Sequence, residues 1–359
     1  MHHEINLDKL DQLKKGDPEN MLEALSGLPT QCQDAMQRAR AVNISFAADF
    51  KNILVTGLGG SAIGGDFLRV YGYRKCTLPI LVNRDYNLPS FVNEQTLVLA
   101  VSYSGNTEET LSAYEEAKLK KAPIVALTSG GQLAERAKKD GIPLILIPSG
   151  LQPRAATGYL FLPLLVVLEK LSLLSDIAAE IEETIAGLAD LSKAISAQVP
   201  TENNPAKQLA LRFYNKIPVI WGVAGTTETV AMRWKGQINE NSKALAYFNV
   251  LPELNHNEIV GTEVPEKFLR ELEVVFLRTE DDHPRVQKRF DITKEIIGER
   301  VGGISEVWGD GKNPLARMFA LTYLGDCTSA YLALLYGIDP SPVKLITLLK
   351  NKLAELPEA

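Results

Sequence analysis

The chain of 359 residues, 45% hydrophobic and 23% charged, has the composition of a globular protein of two or three domains and not of a disordered or fibrous one. Its 38 Lys and Arg residues are scattered among 44 Asp and Glu residues, and the formal net charge of −6 argues against nucleic acid and an anionic membrane surface as partners. The three cysteines lie far apart without metal-binding spacing, which argues against a disulfide framework and a zinc site and favours the cytoplasm.

The first 48 residues have the apolar spacing that is typical of helices. Leu7, Leu10 and Leu13 precede a break at Gly16-Asp17-Pro18, after which the apolar spacing resumes over residues 21–28. The apolar core of a signal peptide is missing from this stretch, so no secretory leader is expected. We predict a helical segment over residues 1–48 that packs on the first domain.

Short apolar runs then alternate with helix-like stretches. The runs lie at residues 53–56, 79–82, 96–101, 123–127 and 143–147, and the helix-like stretches at 61–72, 107–121 and 131–139. Runs without polar alternation are typical of strands that are buried on both faces of a parallel sheet. A helical region follows over residues 155–198, and its apolar run Tyr159–Leu168 is too short for a membrane span and predicts a buried core helix. We therefore predict an α/β domain over residues 49–199.

A proline-bounded polar stretch, Val199–Pro205, is the predicted linker. Beyond it, strands are predicted at residues 218–223, 273–277 and 304–308, and helices at 227–246, 284–298 and 314–337. The strand, glycine-containing turn and helix of residues 53–66 recur in weaker form over residues 218–229. We predict a second α/β domain of related design over residues 205–359.

A glycine-rich loop, Gly57-Leu-Gly-Gly-Ser-Ala-Ile-Gly-Gly-Asp66, follows the first predicted strand and opens a helix. Its small residues permit a tight turn and a close approach of the backbone to a ligand. The loop also fits the nicotinamide-binding pattern through Gly57, Gly59 and Ala62, with Asp85 as the acid that would bind the ribose. A glycine turn without a ligand and an NAD(P)-dependent dehydrogenase are therefore both open alternatives.

A hydroxyl-rich loop, Ser102-Tyr-Ser-Gly-Asn-Thr107, ends the third predicted strand and enters a helix. The hydroxyls of Ser102, Ser104 and Thr107, together with the free amides of the helix N-terminus, could bind a phosphate dianion without a lysine. A simple helix cap by Ser104 or Thr107 would explain one hydroxyl and leave the others unexplained. The loop therefore predicts a sugar-phosphate site.

These two loops, together with Glu240-Asn-Ser-Lys243 and Leu254-Asn-His-Asn-Glu258, resemble the SIS (sugar isomerase) fold and the bifunctional phosphoglucose/phosphomannose isomerases of archaea and bacteria. The resemblance implies two SIS domains, each a parallel sheet flanked by helices, in a homodimer with shared active sites. It implies interconversion of glucose 6-phosphate or mannose 6-phosphate with fructose 6-phosphate through a cis-enediol, without a metal or cofactor. A non-catalytic SIS module that senses sugar phosphates is a further alternative.

The resemblance also implies roles for individual residues. Arg154 would lie against the reacting carbons of the sugar. The phosphate would be bound by a set of small and hydroxyl residues from the two loops: Gly60, Ser61, Ser102, Ser104 and Thr107.

Isomerisation requires a base that moves a proton between C1 and C2, a task suited to a carboxylate. The resemblance assigns it to Glu240, and Glu258 is the next candidate. Ring opening requires a group that titrates near neutral pH, and His256 is favoured because His2 and His3 lie at the terminus and His283 lies in an acidic turn.

In the enzymes that this chain resembles, the ring-opening histidine crosses the dimer. The sequence does not decide which subunit supplies it here. A lysine near the C-terminus completes the implied set. Lys350 is preferred because it ends the last helical stretch, and Lys344 and Lys352 are the alternatives.

Overall fold

The computed structural model describes residues 6–355, so His2 and His3 lie outside the described part of the chain. Two sheets are surrounded by helices. The strands are β1 Asn52–Thr56, β2 Ile80–Asn83, β3 Thr96–Ser102, β4 Ile124–Thr128, β5 Leu144–Leu146, β6 Ile217–Val223, β7 Tyr247–Leu251, β8 Leu272–Arg278 and β9 Gly303–Trp308. The helices are α1 Leu10–Gly16, α2 Met21–Ser26, α3 Leu28–Ala41, α4 Gly60–Gly72, α5 Glu108–Leu119, α6 Gly131–Asp140, α7 Thr157–Lys170, α8 Ile177–Ala194, α9 Pro205–Phe213, α10 Glu228–Gln237, α11 Glu266–Leu269, α12 Pro284–Ile297, α13 Pro314–Leu335 and α14 Lys344–Ala354.

Both sheets are parallel throughout. The first has the strand order β2-β1-β3-β4-β5 and the second the order β7-β6-β8-β9. Every residue of β3 and β4 is buried, as their unbroken apolar runs predict. The predicted α/β class with parallel, helix-flanked sheets is confirmed. In the first sheet β2 lies on one side of β1 and β3 on the other, so the strand order reverses between β1 and β3 and the loops that follow these two strands meet at one edge.

Three helices of the second half, α9, α12 and α13, begin with the same N-cap pattern. Asn204, His283 and Asn313 each accept a backbone N–H from the first turn of the helix that follows, and a proline occupies the first helical position of α9, α12 and α13. A proline is favoured there because that position needs no N–H donor. His283, one of the four histidines, therefore caps a helix through its Nδ1.

The helix predicted over residues 227–246 is wrong in its second half. α10 ends at Gln237, a π-helical turn covers Ile238–Ser242, and Lys243 has a left-handed backbone with a φ of 53°. A residue in that conformation ends a right-handed helix. The chain then forms β7, which the sequence did not reveal because it is a partly exposed edge strand. The helical region predicted over residues 155–198 likewise divides into two helices, α7 and α8.

A helical layer between the two sheets forms the main core. Phe67 of α4, Phe161 of α7 and Phe319 of α13 pack on one another with ring centroids 5.4 to 5.8 Å apart. The apolar run Tyr159–Leu168 is buried throughout, so the predicted core helix is confirmed. α13 is long and apolar enough to cross a membrane, but 89% of its most apolar window is buried inside the protein. It is a core helix that both halves of the chain share.

The predicted linker is held in place by a buried lysine. The ammonium of Lys207 donates to the carbonyls of Ala197 and Val199, at 2.9 and 2.8 Å, and lies 3.3 Å from a carboxylate oxygen of Asp8. The Lys207 side chain is fully buried. Further along the N-terminal segment, α2 packs on α13 and α3 packs on α7 and α8. The N-terminal segment therefore contacts both halves of the chain.

Candidate active site

The two predicted ligand loops lie side by side at the carboxyl ends of β1 and β3. The backbone N–H of Tyr103 donates to Oγ of Ser61, at 3.0 Å, so the two loops are joined by a direct hydrogen bond. A Cβ on Gly57 would lie 2.7 Å from the carbonyl oxygen of Val101. Glycine is required at this position because the two backbones approach too closely for any side chain.

The hydroxyl loop is shaped by its own side chains. Oγ of Ser102 lies 2.9 Å from Oγ1 of Thr107 and accepts a hydrogen bond from the N–H of Gly105 at 3.1 Å. Gly105 has a φ of 71°, and a Cβ there would lie 1.8 Å from the carbonyl oxygen of Gly130. Ser102 is fully buried, whereas Ser104 is exposed and Thr107 is half-buried. Ser104 and Thr107 are thus the hydroxyl residues of this loop that a ligand can reach.

The N-terminus of α5 has the properties of an anion site. Thr107 is its N-cap residue, but neither Thr107 nor Ser104 accepts a hydrogen bond from the first helical turn, and Oγ of Ser104 accepts instead from the N–H of Asn106 at 3.3 Å. The simple-cap interpretation of this loop is therefore wrong. The amides of the first turn are left available at the positive end of the helix dipole.

Arg154 lies next to the glycine loop, in a short 3-10 helix that follows β5, Pro153–Ala155. A Cβ on Gly60 would lie 3.0 Å from the carbonyl oxygen of Pro153 and 3.3 Å from the backbone nitrogen of Arg154. The Arg154 side chain is only 5% exposed. Desolvation lowers the pKa of this guanidinium, and the nearby carboxylate of Glu240 opposes that shift. An arginine remains charged under such conditions, so the site holds a buried positive charge.

Glu240 faces this buried charge. Its Oε2 lies 3.6 Å from Nη1 of Arg154, and Oδ1 of the next residue, Asn241, accepts from Nε of Arg154 at 2.6 Å. Asn241 is itself held by α13, because its amide donates to Oγ of Ser329 at 2.9 Å. A π-helical turn is wider than an α-helical one and is often found at functional sites. Here it lets two consecutive side chains contact one arginine, while the Glu240 side chain stays 36% exposed.

A buried ion pair donates a hydrogen bond to the backbone of Arg154. Nε and Nη2 of Arg233 contact the two carboxylate oxygens of Asp326 at 2.9 and 2.7 Å. Nη2 of Arg233 also donates to the carbonyl of Arg154 at 2.7 Å. Burial raises the pKa of Asp326, and the charge of Arg233 opposes this rise. The pair fixes the 3-10 helix of Arg154 against α10 and α13.

Two of the predicted catalytic residues lie apart from this cluster. His256 ends a 3-10 helix, Glu253–His256, and is exposed. Lys350 is exposed on α14, as are Lys344 and Lys352. Within residues 6–355, no hydrogen bond or ion pair joins His256 or any of these lysines to Arg154 or Glu240.

The alternative base, Glu258, is occupied by structural contacts. Its Oε1 accepts from Nε1 of Trp221 at 2.9 Å, and its Oε2 accepts from the amide of Asn249. Both partners lie on strands of the second sheet, Trp221 on β6 and Asn249 on β7. Glu258 therefore fastens the loop that carries His256 to that sheet.

Asn241 and Lys243 are functional residues to which the sequence alone gives no role. Asn241 holds Arg154, and the amine of Lys243 contacts the segment that Arg154 also contacts. Their position beside Glu240 in one motif was the available signal. Within residues 6–355, no three His, Cys, Asp or Glu side chains are grouped in a way that could hold a metal ion.

Comparison with known proteins places both halves in related families. The SIS domain family matches residues 48–140, and the family described as the bacterial phospho-glucose isomerase C-terminal SIS domain matches residues 202–353. The predicted pair of SIS domains is thereby confirmed. A glucose-6-phosphate isomerase-like protein from Thermus thermophilus has the same fold, with a TM-score of 0.64 and 20% identity over 95% of this chain and 99% of that one.

Curated relatives match over nearly the whole length. A bifunctional phosphoglucose/phosphomannose isomerase from Caldicellulosiruptor bescii is 54% identical over 337 residues, which cover 94% of this chain and 99% of the relative. A protein of the same name from Aquifex aeolicus is 42% identical over 85% of this chain and 91% of its own.

Proposed function

The chain belongs to the bifunctional phosphoglucose/phosphomannose isomerase family, and from this premise we propose that it interconverts glucose 6-phosphate and mannose 6-phosphate with fructose 6-phosphate. The observation that carries the proposal is the approach of Glu240 to the buried Arg154, 3.6 Å apart, beside a helix N-terminus that can receive a phosphate. This combination supplies a base, a charge that stabilises an oxyanion and an anchor for the substrate.

The phosphate is held at the N-terminus of α5. The amides of the first turn and the hydroxyls of Ser104 and Thr107 donate hydrogen bonds to its oxygens. Ser61 and Ser102 shape the two loops through the contacts that already engage their hydroxyls. Gly60 lets the glycine loop lie against Pro153 and Arg154. The sugar therefore extends from the phosphate toward Arg154 and Glu240.

Glu240 transfers the proton. With fructose 6-phosphate open and bound, its carboxylate removes a proton from C1, the electrons of that C–H bond form the C1–C2 double bond of a cis-enediol, and the π electrons of the C2 carbonyl move to its oxygen, which takes up a proton from solvent. In the second half the C1 hydroxyl releases its proton to solvent as C1 becomes a carbonyl carbon, and the electrons of the C1–C2 double bond take the proton back from Glu240 at C2, which gives the aldose. Because a planar enediol can be protonated on either face after rotation about C2–C3, one base serves both the glucose and the mannose epimer.

Arg154 stabilises the charge that develops on the substrate oxygens. Its Nε and Nη2 are engaged by Asn241 and by the carbonyls of Pro340 and Ser341, at 2.6 to 2.9 Å. Nη1 has longer contacts, 3.5 Å to Gln152 and 3.6 Å to Glu240. Nη1 is therefore the nitrogen that can donate to an oxygen on C1 or C2.

We further propose that the enzyme is a cytoplasmic homodimer in which a second copy brings His256 and Lys350 to the site. Both residues are exposed, and apolar side chains close to them in the chain are also exposed. These side chains are Val260, Val264, Phe268, Leu345, Leu348, Leu349 and Leu353, each 52 to 82% exposed. Free cysteines at 32, 76 and 327 agree with a reducing compartment.

The test is a coupled assay on the purified protein with each hexose 6-phosphate, comparing wild type with Glu240→Gln and Glu182→Gln. Glu240→Gln keeps the shape of the side chain but removes the base, so kcat should fall by about 10²–10⁴ for both epimers. Glu182 is an exposed residue on α8, and its variant should behave as wild type.

Retention of solvent exchange at C2 in Glu240→Gln, or loss of only one epimer activity, would show that the base is misassigned and that Glu258 should be tested next. Tight binding of hexose phosphates without turnover by wild type would favour a sensor. Saturable binding of NAD(H) or NADP(H) would favour a dehydrogenase.

A further inference from the structure

A short segment next to the site accepts hydrogen bonds from two cationic side chains through its backbone carbonyls. We name residues Asp339-Pro340-Ser341, which precede α14, the carbonyl bridge. Nη2 of Arg154 donates to the carbonyls of Pro340 and Ser341 at 2.9 and 2.6 Å. Nζ of Lys243 donates to the carbonyls of Asp339 and Pro340 at 2.9 and 2.8 Å. The carbonyl of Pro340 is thus shared by the two cations.

Lys243 uses every donor it has on backbone carbonyls. Its third contact is the carbonyl of Asn241, at 3.0 Å, in the π-helical turn that also carries Glu240. An ammonium has three N–H groups and no acceptor, so the three carbonyls are fully matched to its charged form. Much of the Lys243 side chain is exposed to solvent. Its amine nevertheless connects the turn of Glu240 to the carbonyl bridge by hydrogen bonds.

We propose that Lys243 is a positioning residue for the isomerisation: by fixing the carbonyl bridge, it sets the guanidinium of Arg154 against Glu240. This inference rests on the proposed function. Two of the three short hydrogen bonds of Arg154 go to the bridge. Without Lys243, the bridge loses both bonds that connect it to the turn of Glu240, and Arg154 loses the fixed position of its acceptors.

The protonation of Lys243 makes this role dependent on pH. Desolvation of the ammonium, followed by the charge of Arg154, lowers the pKa of Lys243 to about 8, while Asp339, Glu240 and Glu19 oppose the shift. A neutral amine has only two N–H groups, so one of the three carbonyl contacts is lost above that pH. We therefore expect activity to decline on the alkaline side of pH 8.

This decline differs from alkaline unfolding. The unfolded chain keeps the lysine proton up to about pH 10.4, whereas the folded protein releases it near pH 8. Between these values the unfolded state binds more protons, so this group makes the free energy of unfolding rise with pH. Loss of activity with unchanged or increased stability is thus the signature of a positioning role.

The experiment compares wild type with Lys243→Met, Lys243→Arg and Lys193→Met, measuring kcat, KM and thermal unfolding from pH 6.5 to 9.5. Lys193 is 78% exposed on α8 and provides the control. We expect Lys243→Met to lower kcat by on the order of 10-fold to 100-fold, as misplaced reacting groups do, and to change KM little because the phosphate loop is separate. Lys243→Arg keeps its charge, so it should recover much of kcat and lack the decline near pH 8.

The outcomes separate the two proposals. An inactive wild type overturns the proposed function and this inference with it. If wild type is active and Glu240→Gln is not, a wild-type kcat in Lys243→Met overturns this inference alone. Should Lys243→Met fail to fold, the pH profiles decide: the same alkaline decline in wild type and in Lys243→Arg would show that Lys243 is not the titrating group and would overturn the inference.

Discussion

The positive charge at the site is left largely uncompensated. Arg154 donates to carbonyls and to an amide oxygen, and Lys243 donates only to carbonyls, so the carboxylate nearest to Arg154 is that of Glu240 at 3.6 Å. Neutral acceptors fix a cation in place without cancelling its charge. A charge that is fixed before the reaction stabilises an oxyanion more effectively than one that must reorganise.

At the scale of single residues, we predict that Ser104 and Ser102 play different roles. Ser104 is exposed, and Ser104→Ala should raise KM for fructose 6-phosphate by about 10-fold or more, because a hydrogen bond to a charged group is worth about 1.5–3 kcal/mol. Ser102 is buried and its hydroxyl contacts Thr107 and Gly105, so Ser102→Ala should instead lower stability. Steady-state kinetics and urea unfolding of both variants provide the check, and a wild-type KM in Ser104→Ala would place the phosphate elsewhere.

The elements differ in how far the sequence predicts them. Strands such as β3 were predictable because burial on both faces leaves a continuous apolar run. The sequence does not reveal β7 because it is a partly exposed edge strand, and the helix predicted before it is too long because nothing in the composition signals a π-helical turn. Helix and strand signals are local, so they do not report such changes of backbone geometry.

The loops of the site are predictable from the sequence, whereas the contacts between its side chains are not. Its loops follow strands, and their glycines and hydroxyls are visible in the sequence. The contact of Lys243 with Pro340 spans 97 residues, and that of Arg154 with Ser341 spans 187. Both contacts join segments that are far apart in the chain, and the second also depends on how the two halves pack, so no local pattern can reveal them.

At the scale of elements, we predict opposite effects for two glycine-to-alanine changes. Gly105→Ala introduces a Cβ that would lie 1.8 Å from the carbonyl of Gly130, at a φ of 71°, so the hydroxyl loop must shift and phosphate affinity should fall. Left-handed backbone alone costs on the order of 1–3 kcal/mol. Gly187→Ala lies on α8 with open space around it and should stabilise the protein by about 0.5–1 kcal/mol. Thermal unfolding and KM measurements distinguish them, and a stable, fully active Gly105→Ala would contradict the loop geometry.

Residues 6–355 form one packed body, and helix α14 lies exposed on its surface. Both sheets share the helical layer that contains the Phe67, Phe161 and Phe319 cluster, and Lys207 fixes the segment between them. By contrast, no residue of α14 whose side chain is described is buried, and Leu345 is 82% exposed. The carbonyl bridge connects this helix to Arg154, so its docking on a second copy would act directly on the site.

We predict that replacing apolar residues of α14 disrupts the proposed homodimer. Leu345→Glu combined with Leu349→Glu should give a folded monomer with little activity, because burial of a carboxylate at an interface is costly. Leu119→Glu on α5, where the leucine is 83% exposed, provides the control and should leave the oligomeric state unchanged. Sedimentation velocity and the coupled assay measure the two effects, and an active monomer would contradict the shared site.

Mixing two variants that are inactive with the cyclic hexose phosphates tests whether His256 reaches the partner's site in the proposed dimer. In a heterodimer of Glu240→Gln with His256→Ala, the site that keeps Glu240 of one subunit can receive His256 only from the other. Random exchange in a two-fold dimer makes half of the molecules heterodimers with one complete site in two, so activity should recover to about a quarter of wild type. A histidine that serves its own subunit leaves every site in the mixture with at least one defect, and no recovery would follow. Because ring opening is bypassed by a substrate analogue that cannot cyclise, that analogue should be turned over by His256→Ala alone and should remain unreactive with Glu240→Gln.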